Sequence, residues 1–231
     1  MRFQIIFICC LLSLAHPLKS HAQDETPTQL LQSVQPSLVE IRTEDTRTFT
    51  DTDGHTRTAT YHTQGSGIII DSHGIIVTNT HIVTNAPHIY VGLSDGKILE
   101  AKLVYSSNAD FSFIQVDPPY PLPTISWADS SQAPIGTPII ALSNGDDDQE
   151  HILSGEITNL LDGISSNEVE LFELNLDLVH GDSGGPLLDN QGHLLGMIMA
   201  KKIKEDNKTY AIASNKIQQE FLHYRDNPQN L

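Results

Sequence analysis

Short apolar runs recur through this chain, and nearly every one is closed off by glycine, proline, asparagine or aspartate. Ile68-Ile69-Ile70, Ile75-Ile76-Val77-Thr78, Ile89 to Leu93, Leu99 to Tyr105 and Phe111 to Val116 lie in the first half. Pro138 to Leu142, Ile152 to Ile157, Val169 to Leu176, Pro186 to Leu188, Leu194 to Ala200 and Thr209 to Ala213 follow in the second. Runs this short and this rich in β-branched residues suit strands. Two segments have helical spacing: Thr28 to Val34, with Thr28 as cap, and a stretch capped by Ser214, with Ile217, Phe221 and Leu222 on one face. Strands without alternating helices exclude a doubly wound parallel sheet and predict two all-β lobes.

The breaks between runs divide the chain. Asp71-Ser72-His73-Gly74 and Ser94-Asp95-Gly96 read as hairpin turns. Residues 43–63 carry Thr, Asp and Arg with almost no large apolar side chains, which predicts a long exposed loop or hairpin. Pro118, Pro119, Pro121 and Pro123 mark a linker over about 118–126. It would separate an N-terminal lobe of about 35–118 from a C-terminal lobe of about 127–213, with the closing helix over 214–225.

Residues 1–22 read as a secretory signal: Arg2 at the start, an apolar stretch from Ile5 to Leu14, and Ser20-His21-Ala22 as a cleavage site before Gln23. The stretch is too short to span a bilayer comfortably. Both cysteines, Cys9 and Cys10, lie inside it, so a mature chain of 23–231 has neither disulfides nor a cysteine nucleophile. The formal net charge is −16, and losing Arg2 and Lys19 makes it two units more negative. Such acidity argues against nucleic acid and anionic membrane as partners. No later segment reads as a membrane span. The histidines show no metal-ligand spacing, and no phosphate-binding glycine loop is present, so neither a metal nor another cofactor is expected.

The chemistry concentrates in Val179-His180-Gly181-Asp182-Ser183-Gly184-Gly185-Pro186-Leu187-Leu188. A serine hydroxyl attacks a carbonyl only when a base takes its proton and something holds the resulting oxyanion. Gly181 can adopt a backbone angle closed to other residues, which would aim its N–H, with that of Ser183, at an incoming oxygen. The letters alone also fit an ordinary turn or the nucleophile elbow G-x-S-x-G of α/β-hydrolases.

Chain order separates these readings. Thr78-Asn79-Thr80-His81-Ile82-Val83 resembles the histidine motif of the HtrA/DegP-type proteases, within the chymotrypsin-like serine peptidases. Asn108-Ala109-Asp110-Phe111-Ser112-Phe113-Ile114 is similar to that family's aspartate motif, and Gly181 to Leu187 to its serine motif. Gly65-Ser66-Gly67-Ile68-Ile69 and Gly196-Met197-Ile198 fall in the matching places. An α/β-hydrolase has its histidine last. The resemblance covers about residues 35–215. It implies two six-stranded antiparallel β-barrels with a short C-terminal helix, and no cofactor. It also implies an exported serine endopeptidase, periplasmic or extracellular, acting on protein or peptide substrates. In it Ser183 is the nucleophile, His81 the base, Asp110 the partner that orients the imidazole, and Gly181 and Ser183 the oxyanion donors.

Some positions depart from the family. Asp182 stands where the HtrA branch usually has Asn. In zymogen-activated relatives such an aspartate pairs with a freed N-terminal amine, and no Arg-Ile-Val-Gly-Gly activation site is present here. Asp182 therefore needs another cation, backbone N–H groups or water. Met199 replaces a small hydroxyl residue near the aspartate. Asp177, six residues before Ser183, stands where the trypsin-like enzymes have the base of the substrate pocket, and a carboxylate there would favour Arg or Lys; HtrA-type enzymes have small or apolar residues there and prefer aliphatic side chains, and Lys201 would fall near the rim. The PDZ domain usual after such protease domains is not expected within 231 residues. Two alternatives stand beside the peptidase: a binding or chaperone-like module on the same fold, and a serine esterase.

Overall fold

The structure is a computed structural model that describes residues 27–144, 150–162, 169–179, 181–199 and 208–227. The expected leader, residues 1–22, lies outside them, as do His180 and Lys201.

The first barrel is built from β1 (Leu38–Thr50), β2 (Thr56–Asp71), β3 (Ile75–Asn79), β4 (His88–Gly92), β5 (Ile98–Ser106) and β6 (Phe111–Gln115). They close antiparallel in the order β1-β2-β3-β6-β5-β4. The second barrel uses β7 (Pro138–Asn144), β8 (Glu150–Asp162), β9 (Val169–Leu174), β10 (Pro186–Leu188), β11 (Leu194–Met199) and β12 (Thr209–Ala213). Its closed order, β7-β8-β9-β12-β11-β10, repeats the first. Helix α1 (Pro27–Val34) leads through a 3₁₀ turn into β1, a single turn α2 (Thr80–Val83) follows β3, and α3 (Ser214–Asp226) follows β12. Two six-stranded barrels and a short C-terminal helix are thus the architecture. Among the described residues no helix is long and apolar enough to cross a membrane.

The continuous apolar runs have a structural cause. In β2 and β3, Ile69 and Ile76 point into the first barrel with Val39, Ile41 and Ile114. Their neighbours Ile68, Ile70, Ile75 and Val77 point the other way, into the layer between the barrels. A strand buried on both faces has no polar side to show, so its sequence does not alternate. Phe111 and Phe113 reach into the same layer and meet Leu188, Met197 and Ile212 of the second barrel. Helix α3 lies across it, with Phe221 edge-on to Phe113 at 5.8 Å between ring centroids.

The polar stretch 43–63 is the hairpin of β1 and β2. Its outer half pairs from Thr43↔Thr63 to Thr50↔Thr56 with little burial, carried by backbone bonds and cross-strand threonine contacts. Ser214 does not cap α3. Ala213 is the cap residue, and the Ser214 hydroxyl donates to the Ala128 carbonyl at 2.9 Å, fixing the helix to the segment that leads into β7.

Candidate active site

Three segments from different strands end at the seam between the barrels. Strands β3 and β6 pair antiparallel with Asn79 opposite Phe111, so the end of β3 and the start of β6 lie side by side. This puts His81, on α2, beside Asp110. Asp110 Oδ2 accepts from His81 Nδ1 at 2.8 Å, and Asp110 Oδ1 accepts from the His81 backbone N–H at 3.1 Å. A carboxylate only accepts, so His81 Nδ1 carries a hydrogen and Nε2 is the accepting nitrogen of the neutral ring. The two side chains are 38% and 23% exposed.

Asp110 adopts φ +60°, an uncommon angle outside glycine that Asp and Asn tolerate best. Its carbonyl holds that conformation by accepting from Thr80 N at 3.2 Å and Asn79 Nδ2 at 2.9 Å. Behind Asp110 lies a cavity of about 520 Å³, with Tyr105, Asn108, Met199 and Lys216 on its walls. Met199 and Asp110 line this same cavity.

Ser183 comes from the second barrel. Its loop turns through Gly181 at φ +93° and Gly184 at φ +85° before entering β10. The loop is seated on β2 of the opposite barrel: Ser66 N–H donates to the Ser183 carbonyl at 2.8 Å, and Ser66 Oγ donates to the Gly181 carbonyl at 3.2 Å. Ser66 Oγ in turn accepts from Asn144 N–H at 2.9 Å. Gly65 is a point of close approach, since a Cβ there would stand 2.5 Å from Ile82 Cδ1 and 3.3 Å from the Ser183 carbonyl oxygen. The residue after His81 and the backbone of Ser183 therefore touch the same glycine. Ser183 is 8% exposed. Among the described residues, no hydrogen bond joins His81 to Ser183, and the N–H groups of Gly181 and Ser183 donate to no protein acceptor.

Asp182 is buried, with its side chain 1% exposed. Its Oδ1 accepts from Ser143 Oγ at 2.5 Å and His151 Nδ1 at 3.0 Å, and its Oδ2 from Val179 N–H at 2.7 Å. Of the partners the sequence left open, it has found a backbone N–H and a histidine, which is a cation when protonated; the Ser143 hydroxyl is one the sequence did not suggest. His151 and Ser143 sit opposite each other on β8 and β7. Nothing in their local sequence marks them; their role appears only when the barrel closes.

Asp177 lies between buried Leu176 and Leu178 with its own side chain exposed. Lys201, its expected neighbour, falls outside the described residues. Asp51, Asp53 and His55, at the tip of the β1–β2 hairpin, are the one group among the described residues whose ligand atoms cluster, within 4.8 Å. The Asp51 carboxylate there already accepts from two backbone N–H groups and from Arg57.

The chain is similar in sequence to known proteins over more than half of its length. The family model described as a trypsin-like peptidase domain matches residues 65–197. The chain is 35% identical over 160 residues to the periplasmic serine endoprotease DegP of Escherichia coli K12, covering 66% of this chain and 34% of DegP. It is 29% identical over 180 residues to the serine endoprotease DegS of the same organism, covering 75% of this chain and 49% of DegS. Serine protease HTRA4 of Mus musculus is 28% identical over 168 residues, 70% of this chain and 34% of its own length. The chain thus spans between a third and a half of the length of these relatives.

Proposed function

This chain belongs to the family of trypsin-like peptidase domains and is a serine protease of the HtrA type, and from that premise we propose that it is an endopeptidase whose triad is Ser183, His81 and Asp110. Ser183 Oγ attacks the scissile carbonyl carbon while its proton passes to His81 Nε2. The charge that develops on the carbonyl oxygen is received by the N–H groups of Gly181 and Ser183. Asp110, bonded to His81 Nδ1, favours the imidazolium that forms and keeps the ring in its tautomer. Collapse of the tetrahedral species breaks the C–N bond, His81 gives its proton to the departing amine, and the acyl group stays on Ser183. Water then enters, loses a proton to His81 and attacks the ester, releasing the acid and restoring the hydroxyl.

The observation that carries this reading is the doubly bonded pair of His81 and Asp110, across the seam from the Ser183 loop. The N–H groups of Gly181 and Ser183, which donate to no acceptor among the described residues, support it further. A catalytic hydrogen bond from serine to histidine is commonly long before substrate is seated. Ser183→Ala and His81→Ala are each expected to lower casein cleavage by about 10³-fold or more, because triad members act as a unit. A fluorophosphonate probe should label Ser183 of the folded protein. Cleavage retained in either variant would refute the triad. Absence of labelling would indicate a binding module, and ester turnover without peptide turnover an esterase.

Protein or peptide substrates, and export with removal of residues 1–22, belong to the same proposal. The periplasmic designation of DegP supports the export. N-terminal sequencing of exported protein should begin at Gln23.

A further inference from the structure

We propose that His151 is a positioning residue of this protease: it clamps the carboxylate of Asp182 and so holds the two flanking N–H donors in register for the oxyanion. This rests on the assignment of Gly181 and Ser183 as those donors. Asp182 lies between them: the peptide after it carries the Ser183 N–H, and the peptide before it carries the Gly181 carbonyl, so its side chain bears directly on the first donor and, through the torsions of Gly181, on the second. The carboxylate is buried, and a buried charge needs donors to offset its lost hydration. It has three from three segments: Ser143 Oγ on β7, His151 Nδ1 on β8 and Val179 N–H in its own loop.

Of these, His151 is the one that can itself carry a positive charge. A charge-assisted bond is about twice as strong as a neutral one. Because the carboxylate only accepts, Nδ1 is the donor in either protonation state. The loop is further closed by Asp182 N–H donating to the Val179 carbonyl at 3.3 Å and Gly185 N–H to the Asp182 carbonyl at 3.2 Å. The Ser66 hydroxyl holds the Gly181 carbonyl from the other barrel. Seated from both sides, the loop keeps its donors aimed before substrate arrives. Removing His151 leaves Asp182 with one donor fewer in a dry site, and the carboxylate then turns toward water and takes the loop with it. One wall of a cavity of about 200 Å³, shared with Leu31, Gln35, Leu142 and Glu150, is formed by His151. Truncating His151 would join this space to the carboxylate's surroundings.

The experiment compares the full chain with His151→Ala and His151→Asn, since Asn retains a donor near the place of Nδ1. Peptide kinetics, the fluorophosphonate labelling rate of Ser183 and amide exchange across residues 179–185 are measured for each. His151→Ala is expected to lower kcat about tenfold or more with KM little changed, less than the 10²- to 10³-fold that follows removal of an oxyanion donor itself. Exchange should quicken in residues 179–185 and not in the barrels. His151→Asn should restore most of both. An unchanged or faster kcat in His151→Ala, a loss that appears in KM, or a loss that Asn does not restore would overturn the proposal. If wild-type protein neither cleaves nor labels, the enzymatic assignment fails by itself. Amide exchange then still decides whether His151 holds the loop, and equal exchange in all three proteins refutes it.

Discussion

Replacing Gly184 by alanine should lift the serine loop off its seat. A Cβ at this position would lie 2.0 Å from the Ser66 carbonyl oxygen and 2.9 Å from Thr78 Oγ1. Ordinary contact begins at 3.4 Å, so the loop must retreat by about 1.4 Å. Neither obstacle swings aside easily: Ser66 is in the body of β2, and its carbonyl accepts from Thr78 Oγ1 at 2.7 Å. A misplacement of about 1 Å at a reacting group can cost roughly 10²-fold in rate. The φ of +85° adds strain for any residue with a Cβ, about 1–2 kcal/mol. Gly96 supplies the control, with φ +83° and nothing within 4 Å of a Cβ. Gly96→Ala carries the strain without the collision, in a turn of the first barrel. Both variants should lose melting temperature by about 2–8 °C for that strain, Gly184→Ala somewhat more. Only Gly184→Ala should lose kcat on a fluorogenic peptide, by about two orders of magnitude. A Gly184→Ala protein with activity within threefold of wild type, or a Gly96→Ala protein equally inactive, would refute the reasoning.

Three further outcomes are expected. Ser66→Ala leaves the Asn144 N–H and the Gly181 carbonyl without their partner. It should lower unfolding free energy by about 1–3 kcal/mol and reduce kcat, as read by urea denaturation and peptide kinetics; no change in either would discount the bridge. Burial, with the Glu220 carboxylate beside it, pushes the Tyr105 hydroxyl up to about 12. A raised value means its contribution is whole below pH about 10 and lost as pH passes about 12, so Tyr105→Phe should flatten the alkaline fall in stability, and equal slopes would contradict this. Asp177→Asn should reduce the ratio of cleavage after Arg to cleavage after Val by no more than about fivefold, since exposed charges interact by less than about 1 kcal/mol; a wild-type preference for Val would remove Asp177 from the specificity pocket.

Much of the fold was legible because this architecture buries several strands on two faces. Ile68-Ile69-Ile70 and Ile75-Ile76-Val77 stood out in the sequence for the reason that Ile69 and Ile76 fill a barrel while their neighbours fill the layer between barrels. The hairpin over 43–63 was harder to read. It is held by its own ladder and not by a core, so no apolar pattern fixed its length. His81 and Asp110 were legible because each lies at the end of a strand in a recognisable motif, and β3–β6 pairing then sets them side by side. The partners of the serine loop were not. Ser66 and Gly181 are 115 positions apart, and His151 and Asp182 are 31 apart. Such contacts come from closure of the barrels, and local sequence carries no trace of them. The shared strand order of the two halves was equally invisible, because it survives in the backbone and not in the residues.

Helix α3 packs on β11 and β12 of the second barrel and also reaches the first. Its Phe221 and Tyr224 lie against Phe113, and its Glu220 accepts from the Tyr105 hydroxyl at 2.7 Å. A chain cut short before residue 214 would leave Phe113 and the Tyr105 hydroxyl without these partners, an aromatic patch open to water and the two halves missing one of their cross-ties.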